Sequence, residues 1–149
     1  MEIRLKKLSN EAIMPKRVTE GAVAFDLYVP EEVEIPRGRR IIPLGFAIEM
    51  PLGYEMKIEP RSGFSVKGME GADGLRHDAD VLVGKIDSDY RGEVGVIVKN
   101  SDEGFVIAKG TRIAQATFYK TDPEDYFTEV EELSSTERGS GGFGHTGAK

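Results

Sequence analysis

Residues 93–100 read EVGVIVKN and place valine at 94, 96 and 98. Successive side chains of a strand point to opposite faces, so these three valines share one face. A period of two over such a run marks a half-buried β-strand. The same period recurs on both sides. EIRLKKL, residues 2–8, alternates Ile3 and Leu5 with charges, and YEMKI, residues 54–58, alternates Tyr54, Met56 and Ile58 with charges. TRIAQATFY, residues 111–119, offers Ile113, Ala116 and Phe118 in a less regular pattern. Turn-forming groups separate these runs: PRG at Pro36, PLG at Pro51, SDEG at Ser101 and AKG at Ala108. With 18 glycines and 7 prolines spread along the chain, there is little room for helices. The one helical candidate is a turn near DPEDYF, Asp122 to Phe127. Many short strands at close spacing predict an all-β fold, an antiparallel barrel or jelly-roll sandwich.

The chain has 149 residues, which suits one domain with one core. Hydrophobic residues make up 39% and charged residues 31%, the range of folded proteins rather than disordered ones. A net charge of −6 gives no general pull on nucleic acid, so any phosphate must be held by a few placed groups. The absence of cysteine excludes disulfides, thiol nucleophiles and cysteine-based zinc sites. No apolar run approaches the roughly 20 residues of a membrane span. MEIRLKKLSN interleaves acid and base and does not read as a signal peptide. A soluble cytoplasmic protein that binds neither nucleic acid nor membrane is expected.

Five short stretches stand out. AFDLYVP, from Ala24, sets Asp26 between apolar neighbours. PRSG spans Pro60–Gly63, GKIDSDYRG spans Gly84–Gly92, and GTRIAQ spans Gly110–Gln115. RGSGGFGHTGAK, Arg138–Lys149, has glycine at five of twelve positions, yet carries Arg138 and a lone Phe143. Each alone has an ordinary explanation: a cap, a turn, a hairpin with a structural tyrosine, an amphipathic strand, a floppy terminus. In this order and spacing they resemble the five motifs of the trimeric dUTPase family, deoxyuridine 5′-triphosphate nucleotidohydrolases, over nearly the full chain. The third and fifth are the most specific.

The resemblance implies an all-β, jelly-roll or β-barrel-like subunit in a homotrimer. Residues 1–137 would form a single β domain, and residues 138–149 a glycine-rich lid. It implies hydrolysis of dUTP to dUMP and pyrophosphate, limiting uracil in DNA and supplying dUMP for thymidylate synthesis. By the resemblance, Asp87 is the base that activates water, and a carboxylate suits that task because it is ionised near neutral pH. Mg²⁺ would ride on the triphosphate and keep several waters, with Asp26 as an outer-shell ligand through water. Ser62 and Gly63 match phosphate contacts, and Arg61 matches a residue that braces the site through a carboxylate. Gln115 is similar to a glutamine at the α-phosphate, and Arg138 to a γ-phosphate clamp. Tyr90 matches the ring that excludes a 2′-hydroxyl. Backbone groups at Val83 and Gly84, in a tight hairpin ending near VLVGKID, would read uracil. In the lid, Phe143 would stack on uracil, with Ser140, Gly144, His145 and Thr146 as further contacts. The lid would come from a different subunit than the catalytic Asp87, so that sites are shared.

Three departures from the family pattern stand out. Ala24 replaces a usual glycine two residues before Asp26. Val81 stands where an asparagine is common. Ser62 and Asp87 are 25 positions apart, several more than usual, and the surplus falls in GMEGADGLRHDAD, Gly68–Asp80. That stretch reads as a polar surface loop near the base pocket. Two other readings stay open on the same scaffold. A dCTP deaminase would need a proton-carrying glutamate where this chain has Ile97. The other is a nucleotide-binding regulatory module, and an intact Asp87 with Tyr90, Arg138 and Phe143 argues against a loss of activity while leaving room for a second, regulatory role.

Overall fold

The computed structural model describes residues 1–144 and 146–148. Among them the chain forms thirteen strands and one short helix, and every strand pairing is antiparallel. A four-stranded sheet runs in the order β10 (Gly84–Asp87), β6 (Tyr54–Glu59), β13 (Arg112–Lys120), β2 (Phe25–Tyr28). A three-stranded sheet holds β4 (Gly38–Pro43), β11 (Gly95–Asn100) and β9 (Ala79–Leu82). Three two-stranded sheets complete the fold: β1 (Arg4–Lys7) with β5 (Phe46–Glu49), β3 (Val33–Ile35) with β12 (Phe105–Ile107), and β7 (Met69–Glu70) with β8 (Arg76–His77).

The period-two runs become strands whose apolar side faces one core. Val94, Val96 and Val98 are fully buried, as are Met56 and Ile58. Burying each such side chain contributes roughly 1.5–3 kcal/mol. The irregular pattern of TRIAQATFY has a local cause. The register of β13 against β2 shifts between Arg112 and Ala114, a bulge that turns Ile113 and Ala114 both inward before alternation resumes at Ala116.

The structure corrects two sequence expectations, at PRSG and at VLVGKID. PRSG is not a free turn: Arg61, in extended backbone at the N-cap position, leads into a helix, α1 (Ser62–Lys67), whose one buried residue is Phe64. The 122–127 segment holds the turn expected there, with Asp125 N–H donating to the Asp122 carbonyl at 3.2 Å. The VLVGKID stretch is not a hairpin. β9 pairs with β11 and β10 pairs with β6, so the chain passes between sheets at Val83.

The surplus 68–80 stretch is also more ordered than a loop. Its strands β7 and β8 form a small hairpin over a fully buried Met69. Asp73 accepts from the Leu75 N–H at 3.0 Å and pairs with His77 Nε2 at 3.1 Å, and these contacts hold its carboxyl below the usual range. The His77 ring stacks on Phe105 with centroids 4.0 Å apart. The Ala72 N–H donates to the Val106 carbonyl at 2.7 Å, fastening the hairpin tip to β12.

The last strand ends at Lys120, and residues 121–140 are exposed throughout. No helix among the described residues is long and apolar enough to cross a membrane.

Gly68 joins α1 to the hairpin at φ +84°, and a Cβ there would lie 2.5 Å from the His77 carbonyl oxygen. Gly68→Ala meets both left-handed strain and a backbone clash. It is expected to destabilise the fold by about 1–3 kcal/mol, measured as a lower midpoint in thermal unfolding. An unchanged midpoint would show that the hairpin is not held as described.

Candidate functional site

Three of the five motif stretches meet at one place. In β13, Gln115 lies opposite Asp26 of β2 on one side and opposite Glu59 of β6 on the other. The Gln115 Nε2 donates to the Pro60 carbonyl at 3.2 Å, which ties β13 to the entry of α1. Arg61 then turns back onto the sheet. Its Nε lies 3.5 Å from Asp26 Oδ1, and its Nη1 donates to the Arg112 carbonyl at 3.4 Å. Arg112 reaches the same carboxylate from the bulge, with Nη1 3.5 Å from Oδ2.

Asp26 is therefore a nearly buried carboxylate shared by two guanidiniums. The cluster carries one net positive charge in an acidic chain. Arg112 was not singled out from the sequence, although it stands three residues before Gln115 within GTRIAQ. Its role depends on the bulge, which no spacing rule reveals.

Ser62 and Gly63 open α1 beside this cluster and are exposed. A Cβ on Gly63 would meet nothing within 4 Å, so packing within the chain does not require glycine there. Their N–H groups belong to the first turn of a helix, where intrahelical acceptors are lacking. Hydroxyl, N–H groups and the Arg61–Arg112 pair thus form a surface suited to phosphate oxygens.

The third motif lies elsewhere in the chain. Asp87 ends β10 and is exposed, opposite Glu55. Its carbonyl accepts from the Tyr90 N–H at 3.1 Å, closing a tight turn. The Tyr90 hydroxyl donates to the Glu93 carbonyl at 2.9 Å, which lays the ring over Gly92. A Cβ on Gly92 would sit 2.4 Å from the tyrosine oxygen, so glycine there clears space for the ring. Glu93 was also missed in the sequence. It fixes Tyr90 by its carbonyl, and its carboxylate accepts from the Gly45 N–H at 2.9 Å. Beside Asp87, Lys85 pairs with Glu55 at 2.9 Å. That bond, and to a smaller degree the Asp87 charge, holds the ammonium above its usual range.

Asp26 and Asp87 occupy opposite edge strands of the four-stranded sheet. Three strand spacings separate them across the sheet, about 14 Å, and the four-residue offset from Glu59 to Glu55 adds about 13 Å along it. The structure does not bring Asp87 to the Asp26–Arg61–Gln115 cluster within one chain. Val83 is exposed at the sheet switch and Gly84 follows it, while Val81 is buried opposite Val98. Ile97 is half-exposed between Ile41 and Leu82.

The described residues of the fifth motif make a turn of their own. Arg138 Nε donates to the Gly141 carbonyl at 2.7 Å, inside its own turn. Phe143 is fully exposed at φ +50°, a left-handed conformation rare for an aromatic residue. Gly144 also has positive φ, and Ser140 and Thr146 are exposed. His145 lies outside the described residues.

A family model for dUTPase matches residues 10–147. The chain is 46% identical to a deoxyuridine 5′-triphosphate nucleotidohydrolase of Nautilia profundicola, covering 99% of each. It is 41% identical to the corresponding protein of Helicobacter pylori strain P12, covering 99% of this chain and 97% of that one. Among solved structures, the Staphylococcus bacteriophage 80alpha dUTPase with dUPNHPP is similar at a TM-score of 0.85. It shows 28% identity and 99% coverage of both chains.

The carboxylate shared by two cations can be tested by itself. Asp26→Asn leaves Arg61 and Arg112 facing a neutral amide. It is expected to cost about 1–3 kcal/mol, less than a fully buried pair because Arg112 is partly exposed. Since the residual repulsion is screened, the loss should shrink as salt rises. Denaturant titration at two ionic strengths checks this, and a loss that grows with salt would contradict it.

Proposed function

This chain belongs to the dUTPase family, and on that premise we propose that it hydrolyses dUTP to dUMP and pyrophosphate at sites assembled between copies of itself. The observation that carries this reading is the separation just described. The phosphate-facing cluster and the exposed Asp87 lie at opposite corners of one sheet. One triphosphate cannot reach both in a single chain, whereas two neighbouring copies can each present one half.

The exposed arm supports the same reading. Tyr126, Phe127 and Leu133 are almost wholly solvent-accessible. Apolar side chains strung along an arm without burial in their own chain suit packing against another copy. A homotrimer of jelly-roll or barrel-like subunits accommodates all three contributions: the cluster, Asp87 and the tail. Residues 138–149 then act as a lid donated to a neighbour's site, and residues 1–137 as the body with its arm.

At such a site Asp87 accepts a proton from water as the water oxygen bonds to the α-phosphorus. The bond from that phosphorus to the bridging oxygen breaks, and pyrophosphate leaves. Gln115, Ser62 and Gly63 hydrogen-bond the phosphates, and Arg61 with Arg112 offsets their charge. Arg138 clamps the γ-phosphate. Tyr90, held over Gly92, leaves no room for a ribose 2′-hydroxyl. Val83 and Gly84 offer backbone groups to uracil; the buried Val81 side chain takes no part. Phe143 stacks on the base, and Ser140, Gly144, His145 and Thr146 close over the phosphates. Ile97 offers no proton carrier, which disfavours deamination.

No group of three or more His, Asp or Glu able to hold a metal occurs among the described residues. The Asp26 carboxylate suits Mg²⁺ carried on the nucleotide's own oxygens, meeting its waters through lone pairs left free by the two arginines. Bound there, Mg²⁺ would neutralise phosphate charge. Turnover of a cytoplasmic nucleotide pool in this way would keep uracil out of DNA and supply dUMP for thymidylate synthesis.

The direct test is incubation with dUTP and Mg²⁺, followed by assay of pyrophosphate; none released would refute the reading. UTP, dCTP and dTTP should be poor substrates. Asp87→Asn should still bind dUTP and lose about 10²–10⁴-fold in kcat; near-normal turnover would remove Asp87 from the role of base.

Truncation after Glu137 removes Arg138 and Phe143 without touching a strand. Turnover should collapse while thermal stability holds. Mixing Asp87→Asn chains with truncated chains, after subunit exchange, should restore some activity. Failure to recover despite demonstrated exchange would mean that the tail closes over its own chain.

A further inference from the structure

Phe64, the buried residue of α1, lies beneath two guanidiniums. Arg61 sits 5.7 Å and Arg76 5.9 Å from the ring centroid. Arg61 is the residue that reaches Asp26; Arg76 comes from β8 of the 69–77 hairpin. Neither Phe64 nor Arg76 belongs to the five motif stretches.

Arg76 is itself fixed. Its Nη1 donates to the Gly68 carbonyl at 3.1 Å, and its Nη2 lies 3.8 Å from Glu70 Oε2. The hairpin that carries it is fastened to β12 through the Ala72–Val106 hydrogen bond and the His77–Phe105 stack. A Cβ on Gly71 would meet Asp73 Oδ1 at 2.7 Å, so Asp73 packs closely over the backbone of the tip. By contrast, Arg61 is a long side chain whose charged end makes two contacts of 3.4–3.5 Å.

We infer that Arg76 is a positioning residue for the hydrolysis, holding the Phe64 ring under Arg61 and so keeping the Arg61 guanidinium on Asp26. The physics has two parts. An aromatic face attracts a cation, so a fixed ring gives Arg61 a seat. A second cation on the same ring repels the first, which biases Arg61 away from the hairpin and toward the Asp26 carboxylate. Glu70 offsets part of the Arg76 charge and keeps that repulsion from expelling Arg61. On this account the surplus residues between Ser62 and Asp87 serve as a brace for the phosphate-facing end of α1. The inference rests on the reading that Arg61 serves the reaction.

The test uses the full-length protein and two readouts. The first is the Arg61 Nε–H resonance, identified by its loss in Arg61→Lys. The second is steady-state hydrolysis of dUTP. Arg76→Ala is expected to shift or broaden that resonance and to lower kcat about 10-fold, inside the roughly 10²-fold that a 1 Å misplacement can cost. KM should change little. Arg76→Lys keeps a cation and a donor for the Gly68 carbonyl, and should recover most of the rate. Phe64→Leu, which keeps bulk but loses the aromatic face, should reproduce Arg76→Ala and serves if that variant fails to fold. In an Arg61→Ala background, Arg76→Ala should cost nothing further.

An unmoved Arg61 resonance would overturn the brace. Independent, additive losses in the double variant would overturn the route through Arg61. A shifted resonance with undiminished kcat would instead refute the use of Arg61 in the reaction, and with it the positioning role. A purely structural Arg76 would lower the melting temperature while leaving both readouts unchanged at assay temperature.

Discussion

Strand β13 is hydrogen-bonded along both edges, and the register of that double pairing is the constraint on which the site depends. Gln115 can face Asp26 and Glu59 together only because β2 and β6 flank it in fixed register. The bulge before Ala114 then decides where Arg112 emerges. A slip of one residue would send every side chain to the other face. Ala116 and one of Ile113 and Ala114 would leave the core, and Gln115 would enter it. Burial of those apolar residues therefore fixes the polar cluster as firmly as it fixes the sheet, although none of them touches it chemically.

Legibility in the sequence followed the range of the interactions. Val94, Val96 and Val98 announced β11 because alternation is a property of neighbours. The helix at Ser62–Lys67 stayed hidden because six residues with one buried side chain carry no period. The 69–77 hairpin stayed hidden because its strands are two residues each and largely polar; its order comes from Phe105 and Val106, distant in sequence. The motif stretches identified Asp26, Arg61 and Gln115 through resemblance, but not their convergence. Arg112, Glu93, Phe64 and Arg76 required the structure, since each acts through a partner that only folding brings near. The passage between sheets at Val83 was misread as a hairpin for the same reason: turn chemistry is local, and choice of partner strand is not.

The exposure of Asp87 and the burial of Asp26 reflect different tasks. Asp26 organises cations, and a low-dielectric surround strengthens its hold on them. A base must instead meet a solvent molecule at the instant of attack, so it belongs at an accessible strand end. Tyr90, turned back by its bond to Glu93, packs against Gly92 rather than reaching outward. The tight turn between Asp87 and Tyr90 thus couples the proposed base to the proposed sugar filter through a single backbone hydrogen bond.

Charge sets the final condition. A chain of net charge −6 repels a nucleoside triphosphate at long range. Attraction must arise at contact, where Arg61 and Arg112 exceed Asp26 by one charge and first-turn N–H groups add partial charges. Screening at physiological salt acts over about 8 Å and blunts the distant repulsion more than these close contacts. The two arginines would nonetheless repel each other if left unpaired. Asp26 removes that penalty in the empty protein while leaving donor capacity on both guanidiniums, since each carries five N–H groups and spends few of them here. A carboxylate at the centre of the proposed anion-binding cluster is thus the element that lets two cations stand side by side in the empty protein.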